Sequence, residues 1–340
     1  MGLNLDLLVP KGWDKVSGGN FYNLDLVENL ASMGCKTHWL PYDKDITDYS
    51  PNPGSEFVLI DSILSHLWNV QNLSIPCIGL IHLPQSFVQD KNFSADLLAK
   101  ELIFFSKLDA CIFVSENTRC HTIDFFEFTG SSCVIEPGRP QKIEINKKFS
   151  KDQSTLNLLN VGRLDKNKNQ ASIIDMLSSF SMDFPQQAWT MTFCGPEIDN
   201  YYQCKMYPKI IEYGFEERIK WLGALPRNKL SYLYADADCY ICSSKYESWG
   251  IAIMEAMGSG LAVFNCAEGG AKQLTELAKG FQINSHRDFS HFLGCLSDPK
   301  KLEEAKRKSL SGFEMLATWP QQAQKMLKWL QQLKKRKQIQ

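Results

Sequence analysis

A chain of 340 residues exceeds what one hydrophobic core readily fills, so two domains of roughly 150 residues each are expected. With 44% hydrophobic and 22% charged residues it has the make-up of a folded globular protein, which excludes a disordered or fibrous chain. The net charge of −1 divides unevenly: residues 1–150 hold 12 Lys and Arg against 18 Asp and Glu, residues 151–340 hold 25 against 20, and neither balance provides the domain-wide basic face of a nucleic-acid binder.

The chain opens on "MGLNLDLLVP", a first strand interrupted by Asp6, which is no signal peptide and has Asp where a myristoylation motif requires Ser or Thr. "FYNLDLVENLASMG" predicts a helix, and "FVLID", "CIGLIH", "ACIFVS" and "SCVIE" predict further strands. Residues 62–89 carry no Asp, Glu, Lys or Arg, but Pro76, Pro84, Asn69, Gln71 and Asn72 break them into strand-sized pieces, so no membrane span is expected. The polar stretch "EPGRPQKIEINKKFSKDQST" reads as a linker. The pattern then restarts with strands "LNLLNVG", "WTMTFCG", "IKWLG", "CYICS" and "LAVFN", and with helices around 170–180, 201–213, 228–235, 250–258 and 270–279. It closes on the amphipathic helix "WPQQAQKMLKWLQQLKKRKQ".

Continuous apolar strands alternating with helices indicate parallel sheets covered on both faces. The expected fold is α/β, with two doubly wound Rossmann-like domains facing a central cleft. The boundaries are 1–140 for the first domain, 141–154 for the linker and 155–316 for the second domain, with a helix over 317–340 packing back toward the first. The basic tail, Lys325, Lys328, Lys334, Lys335, Arg336 and Lys337, reads as a solvated helix end and leaves weak peripheral membrane contact open. Eleven scattered cysteines suit a reducing, cytoplasmic location. Cys239 and Cys242 have C-x-x-C spacing, but they lie inside an apolar strand without a second pair, so no metal or redox role is assigned.

The most informative stretch is "ESWGIAIMEAMGSG", which follows the strand "CYICS". Glu247 falls in the loop at the strand's carboxyl end, Gly250 starts a helix, and Glu255 follows about one and a half turns into it. Unpaired N–H groups of the first turn favour an anion such as phosphate. Two carboxylates would repel that anion unless each binds neutral hydroxyls on either side of it. A nucleoside diphosphate sugar has a ribose diol at one end, a sugar at the other and phosphates between.

"ESWGIAIMEAMGSGLAVFNCAEGG" resembles the Glu-x7-Glu signature of retaining glycosyltransferases of family 4, the glycosyl transferases group 1, which have the GT-B fold. The resemblance implies that Glu247 contacts the transferred sugar and Glu255 the ribose, with Ser248, Trp249, Gly250 and Ile251 lining the donor site between them. "LLNVGRLDKNKNQ" resembles the family's Gly-Arg-Leu…Lys-Asn segment and maps onto Arg163 and Lys168, two cations for the leaving diphosphate; Lys166 competes with Lys168, but the spacing and Asn169 favour Lys168. "VSGGNFYN" resembles the glycine-rich turn, placing Gly18 and Gly19 on the acceptor side, with Gly19 also near the donor. His82 in "IGLIHLPQSF" matches a family His near the transferred sugar, and Ser115 and Gly195 match further landmarks, which implies donor binding at Gly195. Two features depart from the pattern: Lys272 and Gln273 follow "GG" where an acidic residue is usual, and "EPGRP" replaces an Asn-Gly turn.

The resemblance implies an acceptor-binding first domain and a nucleotide-sugar-binding second domain. The activity expected is transfer of a hexose from a UDP- or GDP-sugar, with retention, to a glycan, small-molecule or lipid-linked acceptor. No cofactor beyond the nucleotide diphosphate sugar co-substrate and no metal is expected, since no Asp-x-Asp motif has supporting context. His82, Glu247, Arg163 and Lys168 form the expected catalytic set. A GT-B epimerase or hydrolase, and a non-catalytic nucleotide-sugar-binding protein, are the alternatives.

Overall fold

The computed structural model describes residues 2–12, 17–69, 73–87, 94–140, 155–198 and 200–337, so the expected linker 141–154 lies outside the described residues. The chain divides into two compact units, residues 1–140 with 317–340, and residues 141–316.

Unit 1 contains β1 (Asn4–Pro10), α1 (Gly18–Ser32), β2 (Lys36–Tyr42), β3 (Phe57–Asp61), β4 (Cys77–Ile81), α2 (Ala95–Ser106), β5 (Ala110–Phe113), α3 (Glu116–Phe126) and β6 (Ser131–Val134). The strands form one parallel sheet in the order β2-β1-β3-β4-β5-β6. Successive side chains of a strand point to opposite faces, and in β3 Phe57 and Leu59 enter one apolar cluster while Val58 and Ile60 enter another. Both faces are therefore buried, as a parallel sheet requires. Asp6 breaks the apolar run of β1 because its buried carboxylate accepts hydrogen bonds from Tyr49 Oη (2.6 Å), Ser55 Oγ (2.6 Å) and the Asn52 amide (2.9 Å), which ties down the segment after β2.

The C-terminal helix Trp319–Lys337 belongs to this unit and buries Trp319, Ala323, Met326 and Leu330 in the cluster that contains Tyr22, Leu26 and Leu30 of α1. Residues 136–140, where the polar stretch begins but which the expected boundary assigns to the first domain, pack inside unit 1. A Cβ on Gly138 would stand 2.4 Å from the Trp319 backbone, and the Arg139 amide bonds the Ala317 carbonyl at 2.8 Å. Of the basic tail, Lys334 pairs with Glu56.

Unit 2 contains β7 (Thr155–Val161), α4 (Ala171–Asp183), β8 (Ala188–Cys194), α5 (Tyr207–Glu212), β9 (Ile219–Trp221), α6 (Arg227–Asp236), β10 (Cys239–Cys242), β11 (Tyr246–Glu247), α7 (Ile251–Gly258), β12 (Ala262–Asn265), β13 (Glu268–Gly269), α8 (Ala271–Leu277), β14 (Phe281–Gln282), α9 (His286–Cys295) and α10 (Pro299–Glu314). Its main sheet is parallel in the order β14-β12-β10-β7-β8-β9. Cys239 and Cys242 face opposite apolar clusters across β10, so they cannot act as a pair.

Numbered within unit 2, the sheet order is that of the dinucleotide-binding α/β fold, and it reverses between β7 and β10. In unit 1 it reverses between β1 and β3. In such sheets the crevice at the carboxyl ends of the strands flanking the reversal is where ligands bind.

Candidate functional site

In unit 2 the loop after β7 carries Arg163 and Lys168, and the loop after β10 carries Glu247. The two loops are joined by backbone and side-chain hydrogen bonds: Lys245 N to Asn167 O at 2.8 Å, Ser243 Oγ to Lys168 O at 2.7 Å, and Asn167 Nδ2 to Tyr246 O at 3.2 Å. Asp165 turns the first loop by accepting from the amides of Asn167 (3.0 Å) and Lys168 (2.8 Å). The buried Gln170 amide donates to the Arg163 carbonyl at 2.7 Å, which fixes the main chain while 55% of the Arg163 side chain stays exposed. Lys166 is exposed, whereas Lys168 turns inward.

The Lys168 ammonium forms an ion pair with Glu247 Oε1, the same oxygen that accepts from Ser244 Oγ. Burial disfavours the charged ammonium, but the adjacent Glu247 carboxylate outweighs it and holds the Lys168 pKa above the usual lysine value. Both contacts fall on Oε1, so the carboxylate is oriented with Oε2 bonded to no group among the described residues. An ammonium has three donors, so Lys168 can hold Glu247 and still offer two to an anion.

The main chain at Glu247 is fixed by two glycines. β11 pairs with β13, and the Gly270 amide bonds the Glu247 carbonyl at 2.8 Å. A Cβ on Gly269 would lie 2.4 Å from Glu247 O, and one on Gly270 2.2 Å from Ser248 O, so only glycine permits this approach. Gly195, at the end of β8, meets the other loop in the same way, since a Cβ there would lie 1.9 Å from Gly162 O. Glu247, expected in a loop, thus sits in a two-residue strand.

Gly250 adopts a left-handed φ of 105° and, having no side chain, gives the first-turn N–H groups of α7 no cap of its own. Ser248 and Ile251 flank it. Trp249 is 2% exposed, with its indole in the core beside Ile253 and Met254, so only its main chain can meet a ligand. Glu255, within α7, accepts from Tyr234 Oη of α6 at 2.9 Å, and burial together with that carboxylate raises the Tyr234 pKa well above the usual range.

In unit 1, Gly18 and Gly19 are the first two residues of α1, capped by Ser17 Oγ accepting from the Asn20 amide at 3.1 Å. A Cβ on Gly19 would stand 3.5 Å from the His82 ring, an ordinary contact. His82 directly follows β4. Its Nε2 lies 3.1 Å from Asn23 Oδ1 and 3.5 Å from Asp61 Oδ2, and its ring meets Tyr22 edge-on at 5.2 Å. Burial works against the Asp61 carboxylate, but His82, the Ile63 amide and Asn23 more than offset it and lower its pKa. Ser115 caps α3 by accepting from the Thr118 amide at 3.1 Å, a structural task.

The profile of the family described as Glycosyl transferases group 1 matches residues 141–310. The chain belongs to this family. Rice (Oryza sativa subsp. japonica) sucrose synthase 1 is 24% identical over 206 residues, which cover 54% of this chain and 25% of that enzyme, so the chain spans about a quarter of that relative's length. Among solved structures, the sucrose-phosphate synthase of Thermosynechococcus elongatus superposes with a TM-score of 0.80 at 16% identity, covering 97% of this chain and 99% of that one. Anabaena HepE, solved in complex with UDP and glucose, gives 0.75 at 18% identity, covering 97% and 100%. These structural likenesses show the fold of the chain to be GT-B.

Ser244, Tyr234, Gln170, Asn23 and Asp61 support the candidate residues through hydrogen bonds, and the sequence alone does not single them out. Only Asp61 carries a local signal, a carboxylate ending the otherwise apolar strand "FVLID". Among the described residues, no group of three or more His, Cys, Asp or Glu is placed to hold a metal ion, and no helix is long and apolar enough to cross a membrane.

Proposed function

We propose that this glycosyltransferase moves a hexose, with retention and without a metal, from a UDP- or GDP-sugar to the hydroxyl of a glycan, small-molecule or lipid-linked acceptor. The observation that carries this reading is the Lys168–Glu247 pair at the switch point of unit 2, beside the uncapped start of α7. Glu247 Oε2 accepts a hydroxyl of the transferred sugar. The α7 N–H groups, with Arg163 and Lys168, bind the diphosphate, and Glu255 binds the ribose diol. HepE, of the same fold, binds UDP and glucose, which supports a nucleotide-sugar donor.

In the front-face reaction implied by the family resemblance, the bond from the sugar's anomeric carbon to the phosphate oxygen breaks. A bond to the acceptor oxygen forms on the same face, and the acceptor proton passes to the departing phosphate. Arg163 and Lys168 stabilise the negative charge that grows there. His82 positions the sugar on the acceptor side with Gly18 and Gly19. The test is a thermal-shift screen of UDP- and GDP-sugars followed by NMR of the product anomer. A donor at 100-fold its dissociation constant adds about 2.7 kcal/mol of stability. Stabilisation by none of them, or a product of inverted configuration, contradicts the proposal.

A further inference from the structure

The cluster around His82 fixes more than the place of a ring. Asn23 Nδ2 donates to Asp61 Oδ2 at 2.8 Å, and the reversed amide would set its oxygen against that carboxylate. The orientation of Asn23 is therefore determined, and its Oδ1 faces His82 Nε2 at 3.1 Å. An amide oxygen can only accept, so Nε2 carries a proton whether the ring is neutral or charged. Asp61 is itself locked by the Ile63 amide at 3.0 Å, and Asn23 and Asp61 are 1% and 2% exposed. The His82 main chain is held by Ser62 Oγ, which accepts from its amide at 3.1 Å. No described group hydrogen-bonds Nδ1, and Nδ1 is not one of the buried side-chain atoms lacking a partner.

We propose that Asn23 and Asp61 are positioning residues that hold the His82 proton on Nε2 and present Nδ1 as the ring's ligand-contacting atom, an acceptor for a sugar hydroxyl. The tautomer stands on geometry alone; the ligand half rests on the nucleotide-sugar reading above. With Nε2 held from α1 and from the carboxyl end of β3, and the ring edge-on to Tyr22, a hydroxyl meets an acceptor of fixed direction.

Nitrogen-15 NMR of the full chain labelled at histidine tests both halves, with His82→Ala used to assign the signal. The wild-type protein should show a proton on Nε2, and, in the neutral form of the ring, none on Nδ1. Asn23→Leu, which keeps the bulk and removes the amide, should speed solvent exchange of the Nε2 proton at least about fivefold, the equivalent of one ordinary hydrogen bond. A neutral ring with its proton on Nδ1 and a bare Nε2, or unchanged exchange in Asn23→Leu, overturns the positioning role. If that variant fails to fold, Asp61→Asn and the wild-type tautomer still decide it. Adding UDP-glucose or GDP-mannose should shift Nδ1 and leave Nε2 in place. A correct tautomer whose Nδ1 responds to neither contradicts the nucleotide-sugar reading and leaves the positioning inference standing.

Discussion

The two units place polar side chains at equivalent points, the carboxyl ends of strands where sheet order reverses, and hold them by different forces. In unit 2 the partners are oppositely charged: Lys168 and Ser244 grip one oxygen of Glu247, and glycines at 269 and 270 bring in the main chain. In unit 1 a neutral amide, Asn23, lies between a buried carboxylate and an imidazole. An ion pair sets charge and proximity but tolerates rotation, whereas an amide with one allowed orientation sets direction. The first arrangement suits a site that meets a charged diphosphate, the second a site that meets hydroxyls.

This difference can be broken at its strongest point first. Lys168→Ala removes the cation proposed for the leaving group and strands the partly buried Glu247 carboxylate, so turnover should fall on the order of 10²-fold or more. Unchanged turnover in steady-state assays would remove the ion pair from the chemistry. Next, Gly270→Ala forces a Cβ against Ser248 O, and denaturant unfolding should show a loss of about 2 kcal/mol, as overpacking costs. Gly19→Ala, whose Cβ has room, should cost far less, and equal losses would erase the contrast between the glycines of the two units.

Smaller effects sharpen it further. Tyr234→Phe removes one hydrogen bond to Glu255 and should weaken donor binding about fivefold, measured by calorimetry. The smallest is acid sensitivity. In Asp6, Glu56 and Asp61 of unit 1, burial raises the pKa, but hydrogen bonds and the neighbouring Lys334 or His82 lower it further, so each folded value lies below the unfolded one. The stability these groups contribute is present above the ordinary carboxylate range and is lost as pH falls through their folded values. Lys168 has a raised pKa, so its own titration removes its contribution only as pH rises through that raised value. Hydrogen exchange on acidification should therefore show unit 1 losing protection before unit 2. The opposite order would place the acid-labile network elsewhere.

Much of the fold was legible because both sheets are buried on both faces, which leaves continuous apolar runs such as "FVLID" and "CYIC". β2 was not, because this edge strand is only partly buried and its residues, "KTHWLPY", form no apolar run. β11 and β13 have two residues each, and long-range contacts rather than local pattern create them. The spacing of Glu247 and Glu255 was visible through resemblance, whereas the pairing of Lys168 with Glu247 spans 79 residues and exists only once β7 and β10 are neighbours. Asn23 and Asp61, 38 residues apart, come together for the same reason across β1 and β3.

The central claim is that the switch point of unit 2 binds the diphosphate of a nucleotide-sugar donor. Isothermal titration of UDP and of GDP into the wild-type protein and Lys168→Ala tests it most directly. One of the two should bind the wild type, with affinity reduced at least about tenfold in Lys168→Ala, the scale of a lost charge-assisted hydrogen bond. Equal affinity in both proteins, or binding of neither nucleotide at ~1 mM, would contradict it.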